Sequence, residues 1–395
     1  MLENLKRQCS VRPLTDDQKA HTLAMMYELQ TLYFGDDSAQ AKYGDAKYWE
    51  NLSGGRLHIV SPGDQAADSK SGLPNAEESR INDTPAPTSE TPLMSAVAEV
   101  GYHVSPPPST AASLSLAINH TLSALASAGW PPQFLLLYDE TWALLADTIA
   151  QQYSSFSPDL ILEADVNVWH LTRPVGEETI HEEASPSPSP IHPQIGSNFP
   201  NPHRDMVYSE CHDDDEAPTS LSVWIPLTPS GATTTNGCMR VLPLESDDFF
   251  YSPNHPFHSQ NSRYEDGGDE ERLEVPQFGS AAWDPSCVHW GGSCEAGSEA
   301  EPRASLAFTV RKRDATKGEF TVGGEQSGVQ QTGPASIPVA KCHEGGIRRR
   351  LSVVSKAILG YSHHWPGLPF DGFEANLVTP VGAPPPPPVL KSQHV

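Results

Sequence analysis

The chain has 395 residues, with 25 Lys and Arg against 50 Asp and Glu, a formal charge of −25. So acidic a surface repels phosphate backbones and anionic membranes, which excludes nucleic acid and bare lipid as partners. Hydrophobic residues make up only 37% of a chain that also holds 38 Pro and 29 Gly, so one compact domain interrupted by long loops is expected.

Residues 15–34 carry apolar side chains at helical spacing behind a Thr/Asp opening, which predicts a helix in an N-terminal segment over 1–60. Ser, Pro and acidic residues then dominate from about Ser61 to Thr91, where too little apolar surface is available to offset ordering entropy, so 61–95 reads as a disordered insertion. Thr110–Ala128 and Thr141–Tyr153 are rich in Ala and Leu at helical spacing. β-forming runs follow at Leu160–Leu171, Ser220–Leu227, Met239–Leu244, Phe278–Trp283 and Ala304–Arg311, separated by Pro, Gly, Asn and Asp. Within them lies a Pro/Ser-rich loop over 182–202, and beyond residue 315 a C-terminal extension, 316–395, ends in the polyproline run Pro384–Pro388.

Helices followed by many short strands predict an α+β protein, mainly β. Its core, over 96–315, would be a double-stranded β-helix (a jelly roll, cupin-like), with helices packed outside and long disordered insertions.

The chemistry concentrates at His203-Arg204-Asp205, followed 84 residues later by His289 and 14 residues after that by Arg303. Two imidazoles and a carboxylate can occupy one face of Fe(II), leaving the other face open for O2 and a second substrate. A bare H-x-[DE] tripeptide says little, because about two are expected by chance among 16 His and 50 acidic residues. The chain has three. His181-Glu182-Glu183 lies in the Pro/Ser loop and His212-Asp213-Asp214 in an acidic stretch, where nothing is expected to hold two ligands in place. His203-Arg204-Asp205 leads from a Pro200/Pro202 turn into the strand-like Met206-Val207-Tyr208, and strand alternation would put His203 and Asp205 on one face with Arg204 pointing away.

His289 sits in a β-like step running into Gly291-Gly292; its bland alternative is a buried, hydrogen-bonded core histidine. Arg303 and Ser305 stand two apart at the head of an apolar strand, so guanidinium and hydroxyl can meet one carboxylate, such as the far end of a 2-oxo acid.

Five ordered blocks carry a family resemblance. They are Pro202-His203-Arg204-Asp205, Ser220 through Leu227 (SLSVWIPL), Asn236 through Pro243 (NGCMRVLP), His289-Trp290-Gly291, and Arg303. Together, over about residues 100–315, they resemble the phytanoyl-CoA dioxygenase (PhyH) family of Fe(II)/2-oxoglutarate oxygenases. The resemblance implies His203, Asp205 and His289 as iron ligands, Arg303 as partner of the 2-oxoglutarate C5 carboxylate with Ser305 assisting, and Trp224 lining the cosubstrate pocket. It implies hydroxylation of a small organic substrate with Fe(II), 2-oxoglutarate and O2, releasing succinate and CO2. Asn236-Gly237 would form a tight turn, where glycine accepts positive φ. Leu244-Glu245-Ser246 stands where the family usually carries Gly-Ser-His, which alters one pocket wall. Asp205 in the ligand position counts against the related halogenases.

Two other classes compete with this reading. One is a catalytically idle jelly roll that binds a small acid or offers its Pro-rich segments to partner domains. The other is a cupin-like hydrolase or isomerase with zinc on the same side chains, which would leave Arg303 and Ser305 without a task. The six cysteines lack paired spacing, and neither a secretory leader nor an apolar run long enough for a membrane span is visible, so an intracellular, cytoplasmic location with reduced thiols is expected.

Overall fold

The computed structural model describes residues 44–59, 92–171, 202–252, 255, 269–295 and 301–313 apart from a few single positions, together with 336–338 and scattered positions of 347–357. The expected helix over 15–34, the insertion over 61–91, the loop over 182–200 and the polyproline run lie outside the described residues.

Helices come first. Helix α1 (Ala46–Leu52) starts at Asp45, whose side chain accepts the Lys47 N–H at 3.0 Å. Helix α2 (Pro92–Val100) begins inside the stretch read as insertion up to residue 95, and leads directly into strand β1 (Tyr102–Ser105). The helix expected over 110–128 is a short 3-10 turn (Ala111–Leu114) followed by α3 (Ser115–Ser127), whose Ile118, Leu122 and Leu125 recur at helical spacing and are buried. The one expected over 141–153 is α4 (Asp139–Thr148) prolonged by a π-helical turn to Tyr153. Between them Pro132–Leu137 forms a fully buried 3-10 segment. Burial is affordable there because its carbonyls find partners: Leu135 accepts from Thr141 Oγ1 at 2.8 Å and Leu136 from Trp142 Nε1 at 2.7 Å.

All described strand pairings are antiparallel. The larger sheet runs β1–β7–β4–β9–β2–β10, with β3 also on β9; its members are β2 (Leu160–Glu163), β3 (Asn167–His170), β4 (Ser220–Pro226), β7 (Ser280–Trp283), β9 (Ala304–Lys312) and β10 (Ser336–Pro338). The smaller has β5 (Met239–Val241) between β6 (Glu271–Leu273) and β8 (His289–Gly291). The single run expected over 160–171 is thus two strands. β1, β6 and β10 are too short for alternation to be read from their sequences.

Strand β4 organises the interior. All seven of its residues are buried between β7 and β9. Leu221, Val223 and Ile225 join Leu306, Phe308 and Val310 of β9 in the large cluster that also holds Ile118, Leu125, Trp142 and Leu145 of the helices. Trp224, with Ala281 and Trp283 of β7, instead packs against Met239, Val241 and Leu273 of the small sheet. One face of the large sheet therefore carries the helical layer and the other meets the small sheet, the double-sheet, mixed architecture expected. Tight turns close the small sheet. Gly237 has φ +97°, as the Asn236-Gly237 turn requires, and a Cβ on Gly292 would lie 2.7 Å from the Cys238 carbonyl oxygen.

Leu125 is fully buried at the sheet–helix boundary. Leu125→Ala should cost about 2–5 kcal/mol, read as a lowered urea midpoint with an unchanged denaturant slope.

Candidate metal centre and anion cradle

His203 and His289 meet across a single antiparallel bridge, with His203 N–H donating to the His289 carbonyl at 3.0 Å and His289 N–H to the His203 carbonyl at 2.9 Å. Their rings lie 4.4 Å apart. After that bridge the chain does not continue as the expected strand. Asp205 and Met206 both donate their N–H to the Pro285 carbonyl, at 2.9 and 3.1 Å, and the chain turns into the short helix α5 (Tyr208–Cys211). His203 and Asp205 still converge, His203 held by its bridge to His289 and Asp205 by the Pro285 carbonyl.

Nε2 of His203 lies 3.8 Å and Nε2 of His289 3.4 Å from Asp205 Oδ1, and the three donor atoms all fall within 4.8 Å of one another. Metal bonds of about 2.1 Å separate neighbouring donors by about 3.0 Å in an octahedral arrangement and about 3.4 Å in a tetrahedral one, so the His289–Asp205 spacing is already that of a metal site and His203 would have to close on Asp205 by a few tenths of an ångström or more. His289 is enclosed, with 3% of its side chain exposed, while His203 and Asp205 keep 32% and 34%. Access is therefore from the 203/205 side.

Neighbours orient each donor. Ser222 Oγ donates to Asp205 Oδ2 at 2.6 Å from the middle of β4. His289 Nδ1 is 3.1 Å from the Cys287 carbonyl oxygen, which places the proton on Nδ1 and leaves the Nε2 lone pair facing Asp205. Trp283, directly across from Ser222 on β7, packs its ring 4.7 Å from that of His289. Burial would push the Asp205 carboxyl up, but His289, His203 and the Ser222 hydroxyl outweigh it and hold it well below the usual carboxylate range. Burial likewise opposes charge on His289, and the Asp205 carboxylate reverses the balance, raising the imidazole above its ordinary value.

The second part of the site lies two residues further along β4. Ser222 and Trp224 share a face, about 7 Å apart at strand rise, and the Arg303 guanidinium sits 4.7 Å over the Trp224 ring. Arg303 is fully buried at the head of β9, and none of its three guanidinium nitrogens has a hydrogen-bond partner among the described residues. Ser305 Oγ and the Trp224 indole nitrogen are equally without partners. Ser305 lies across from Pro226 and Ala307 from Trp224, so Ser305 shares the Trp224 face, on the same side as Ser222 and the metal cluster. Burial lowers the Arg303 pKa to about 9, which leaves the group cationic at neutral pH. A buried cation with every donor idle is costly, and native proteins retain one where an anion completes it.

Arg204 does point away from the cluster, into the protein rather than toward water. Its guanidinium grips Asp247 at 2.7 and 3.0 Å and also donates to the Ser286 carbonyl. His212, set aside in the sequence as part of an acidic loop, is buried beside Cys211 and Asp284. The sequence reading also missed Ser222, whose signal was a polar residue inside an otherwise β-forming run. Cys211, Cys238, Cys287 and Cys294 are buried free thiols. Among the described residues no helix is long and apolar enough to cross a membrane.

No protein-family model and no curated relative matches the chain, so the likeness to the phytanoyl-CoA dioxygenase family stands on the five motif blocks. Similar solved structures include SnoN, a non-heme α-ketoglutarate-dependent epimerase from nogalamycin biosynthesis, at 16% identity over 62% of this chain and 94% of that one, TM-score 0.38. Another is the non-heme monooxygenase ThoJ in its nickel complex, at 16% identity over 69% and 98%, TM-score 0.41. A third is SnoK, an α-ketoglutarate-dependent carbocyclase, at 12% identity over 60% and 92%, TM-score 0.37. At such identities the chemistry of this chain has to be read from its own site.

Ser222→Ala removes the only hydroxyl on Asp205 Oδ2 among the described residues. It should weaken Fe(II) binding about 10- to 100-fold in anaerobic calorimetry while leaving the thermal midpoint nearly unchanged.

Proposed function

We propose that this protein is an Fe(II)/2-oxoglutarate-dependent oxygenase that hydroxylates a small organic substrate. The observation that carries this reading is the buried Arg303–Ser305 pair with all its donors idle, on the same sheet face as the His203/Asp205/His289 cluster. A cluster alone would serve zinc as well as iron. The anion cradle beside it has no task in a zinc hydrolase, and the donor cluster has none in an idle acid-binding jelly roll.

In this reading His203, Asp205 and His289 hold the ion, and the bound iron with its oxo acid supplies O2 activation coupled to decarboxylation to succinate and CO2. The protein's own part is positional. Asp205 stays ionised under its Ser222 hydrogen bond and offers Oδ1 to the metal. His289 offers Nε2 because Cys287 occupies Nδ1. Arg303, 4.7 Å over the Trp224 ring, would take the far carboxylate of the oxo acid, and Ser305 would add a hydroxyl. Trp224 and Trp283 exclude water around both. Substrate would enter over the exposed thirds of His203 and Asp205.

Two experiments test the reading. Asp205→Ala should abolish O2-dependent succinate release from 2-oxoglutarate, and unchanged turnover would remove it from the ligand set. Arg303→Gln should raise the 2-oxoglutarate KM at least about 30-fold, equivalent to about 2 kcal/mol, with Fe(II) affinity in the absence of cosubstrate unchanged. An unaltered KM would disconnect the cradle from the oxo acid.

A further inference from the structure

The turn over residues 284–287, just ahead of β8, offers three consecutive carbonyls to the proposed ligand segments. Pro285 accepts the N–H of Asp205 and Met206, Ser286 accepts the Arg204 guanidinium, and the Cys287 carbonyl faces His289 Nδ1 at 3.1 Å. Both Asp205 and His289 are therefore held by one short piece of backbone, and its conformation sets their relative position.

That turn is anchored at its first residue. Asp284 is 3% exposed; its N–H donates to the Gly101 carbonyl at 2.9 Å, and its Oδ1 accepts the Ser286 N–H at 2.8 Å. Its other oxygen lies 2.8 Å from His212 Nε2. His212 is stacked on Tyr208 with centroids 3.8 Å apart and planes 9° from parallel, and its Nδ1 is 3.0 Å from the Tyr208 carbonyl oxygen. Cys211 Sγ reaches Ser286 Oγ at 3.2 Å. The segment that leaves Asp205 thus folds back through α5 and grips the turn that holds Asp205 and leads to His289.

We infer that His212 and Asp284 are positioning residues for the ferrous centre, acting through the 284–287 turn. The inference rests on the metal-centre reading above. Donor atoms of Cys211, His212 and Asp284 also lie within 4.8 Å of one another, as a metal site of their own would need. Both His212 nitrogens, however, already face an acceptor, at 2.8 and 3.0 Å, so an ion there would have to break a bond that closes the loop. A hydrogen-bonded brace accounts for all of these contacts together. Outer residues that orient metal ligands change affinity when altered, without touching the ion themselves.

The test uses the full chain, stripped of metal and titrated anaerobically with Fe(II), then with 2-oxoglutarate while the visible charge-transfer band of the chelate is recorded. His212→Ala should weaken Fe(II) binding about 10- to 100-fold and shift the band, and His212→Gln, whose amide can still donate to Asp284, should recover most of both. Leu125→Ala, destabilised in the helical layer, should bind Fe(II) as the parent does, which separates positioning from general loss of stability. If His212→Ala fails to fold, Asp284→Asn replaces it, since it keeps an acceptor for Ser286 while losing the charge opposite His212. Parent-like affinity and an unmoved band in the folded variants would overturn the inference. So would a second equivalent of bound Zn(II) lost on Cys211→Ser, which would make the cluster a metal site in its own right. If the unmodified chain takes up no Fe(II), or Asp205→Ala takes it up equally well, the ferrous centre itself falls; if those controls behave and only the His212 series is silent, the positioning role falls alone.

Discussion

The structure depends on the register of β4. Its seven residues are buried on both faces, and alternation sends Leu221, Val223 and Ile225 into the helical core while Ser222 and Trp224 face the small sheet. Slippage by one residue would exchange the two sets, placing a hydroxyl and an indole in the helix layer and three aliphatic side chains against the His203/Asp205/His289 cluster. Pairing with β7 and β9 forbids this, because it aligns Trp224 with Ala281 and Ala307 and leaves Ser222 opposite Trp283. Small residues beside the indole leave room for the guanidinium 4.7 Å from its ring. The separation of Ser222 from Trp224 is therefore a property of the sheet, whereas the position of Asp205 depends on the turn at Pro285.

The two arginines flanking the site show how context decides the meaning of a buried cation. Arg204 is nearly enclosed and fully matched, its fork closed on Asp247 and on a backbone carbonyl, so it joins two segments and has no capacity left for a ligand. Arg303 is equally buried and has only a ring face for company. Breaking a buried ion pair by removing one partner typically costs about 3–5 kcal/mol, and in the proposed site a bound anion would relieve a deficit of that kind at Arg303. Its pKa, lowered by burial, reports the same lack of a partner.

How much of this could be read from the sequence follows from range. The His203 and Asp205 pair, the β4 and β9 strands and the Arg303–Ser305 step are local patterns, visible in residue order and two-residue alternation. The approach of His289 could be anticipated only by supposing that a distant strand closes on the first motif, and Asp205 is held by the Pro285 carbonyl, which no local pattern marks. Nothing local marks Asp247 as the partner of Arg204, or Asp284 as that of His212, separated from it by 72 positions. An acidic residue looks alike in a solvated loop and in a buried pair until the fold brings its partner. Strands of three or four residues such as β1 and β6 escaped for the related reason that so short a run has no measurable period.

The overall charge bears on how an anionic cosubstrate could be captured. A net charge of −25 gives the molecule a field that disfavours a dianion at long range, although salt screens it beyond about 8 Å at physiological ionic strength. Capture must then be decided within the last few ångströms, where the charges are partly or wholly buried. The proposed site offers short-range contacts of that kind: a buried guanidinium against an indole at one end, and at the other a donor cluster whose deepest member is 3% exposed and whose outer members keep 32% and 34%. Low local dielectric strengthens a short-range pair more than the distant acidic surface can weaken it. An acidic exterior and an anion-binding interior are thus compatible in one chain, provided the cationic donors sit on the strands of the core, as Arg303 and Ser305 do.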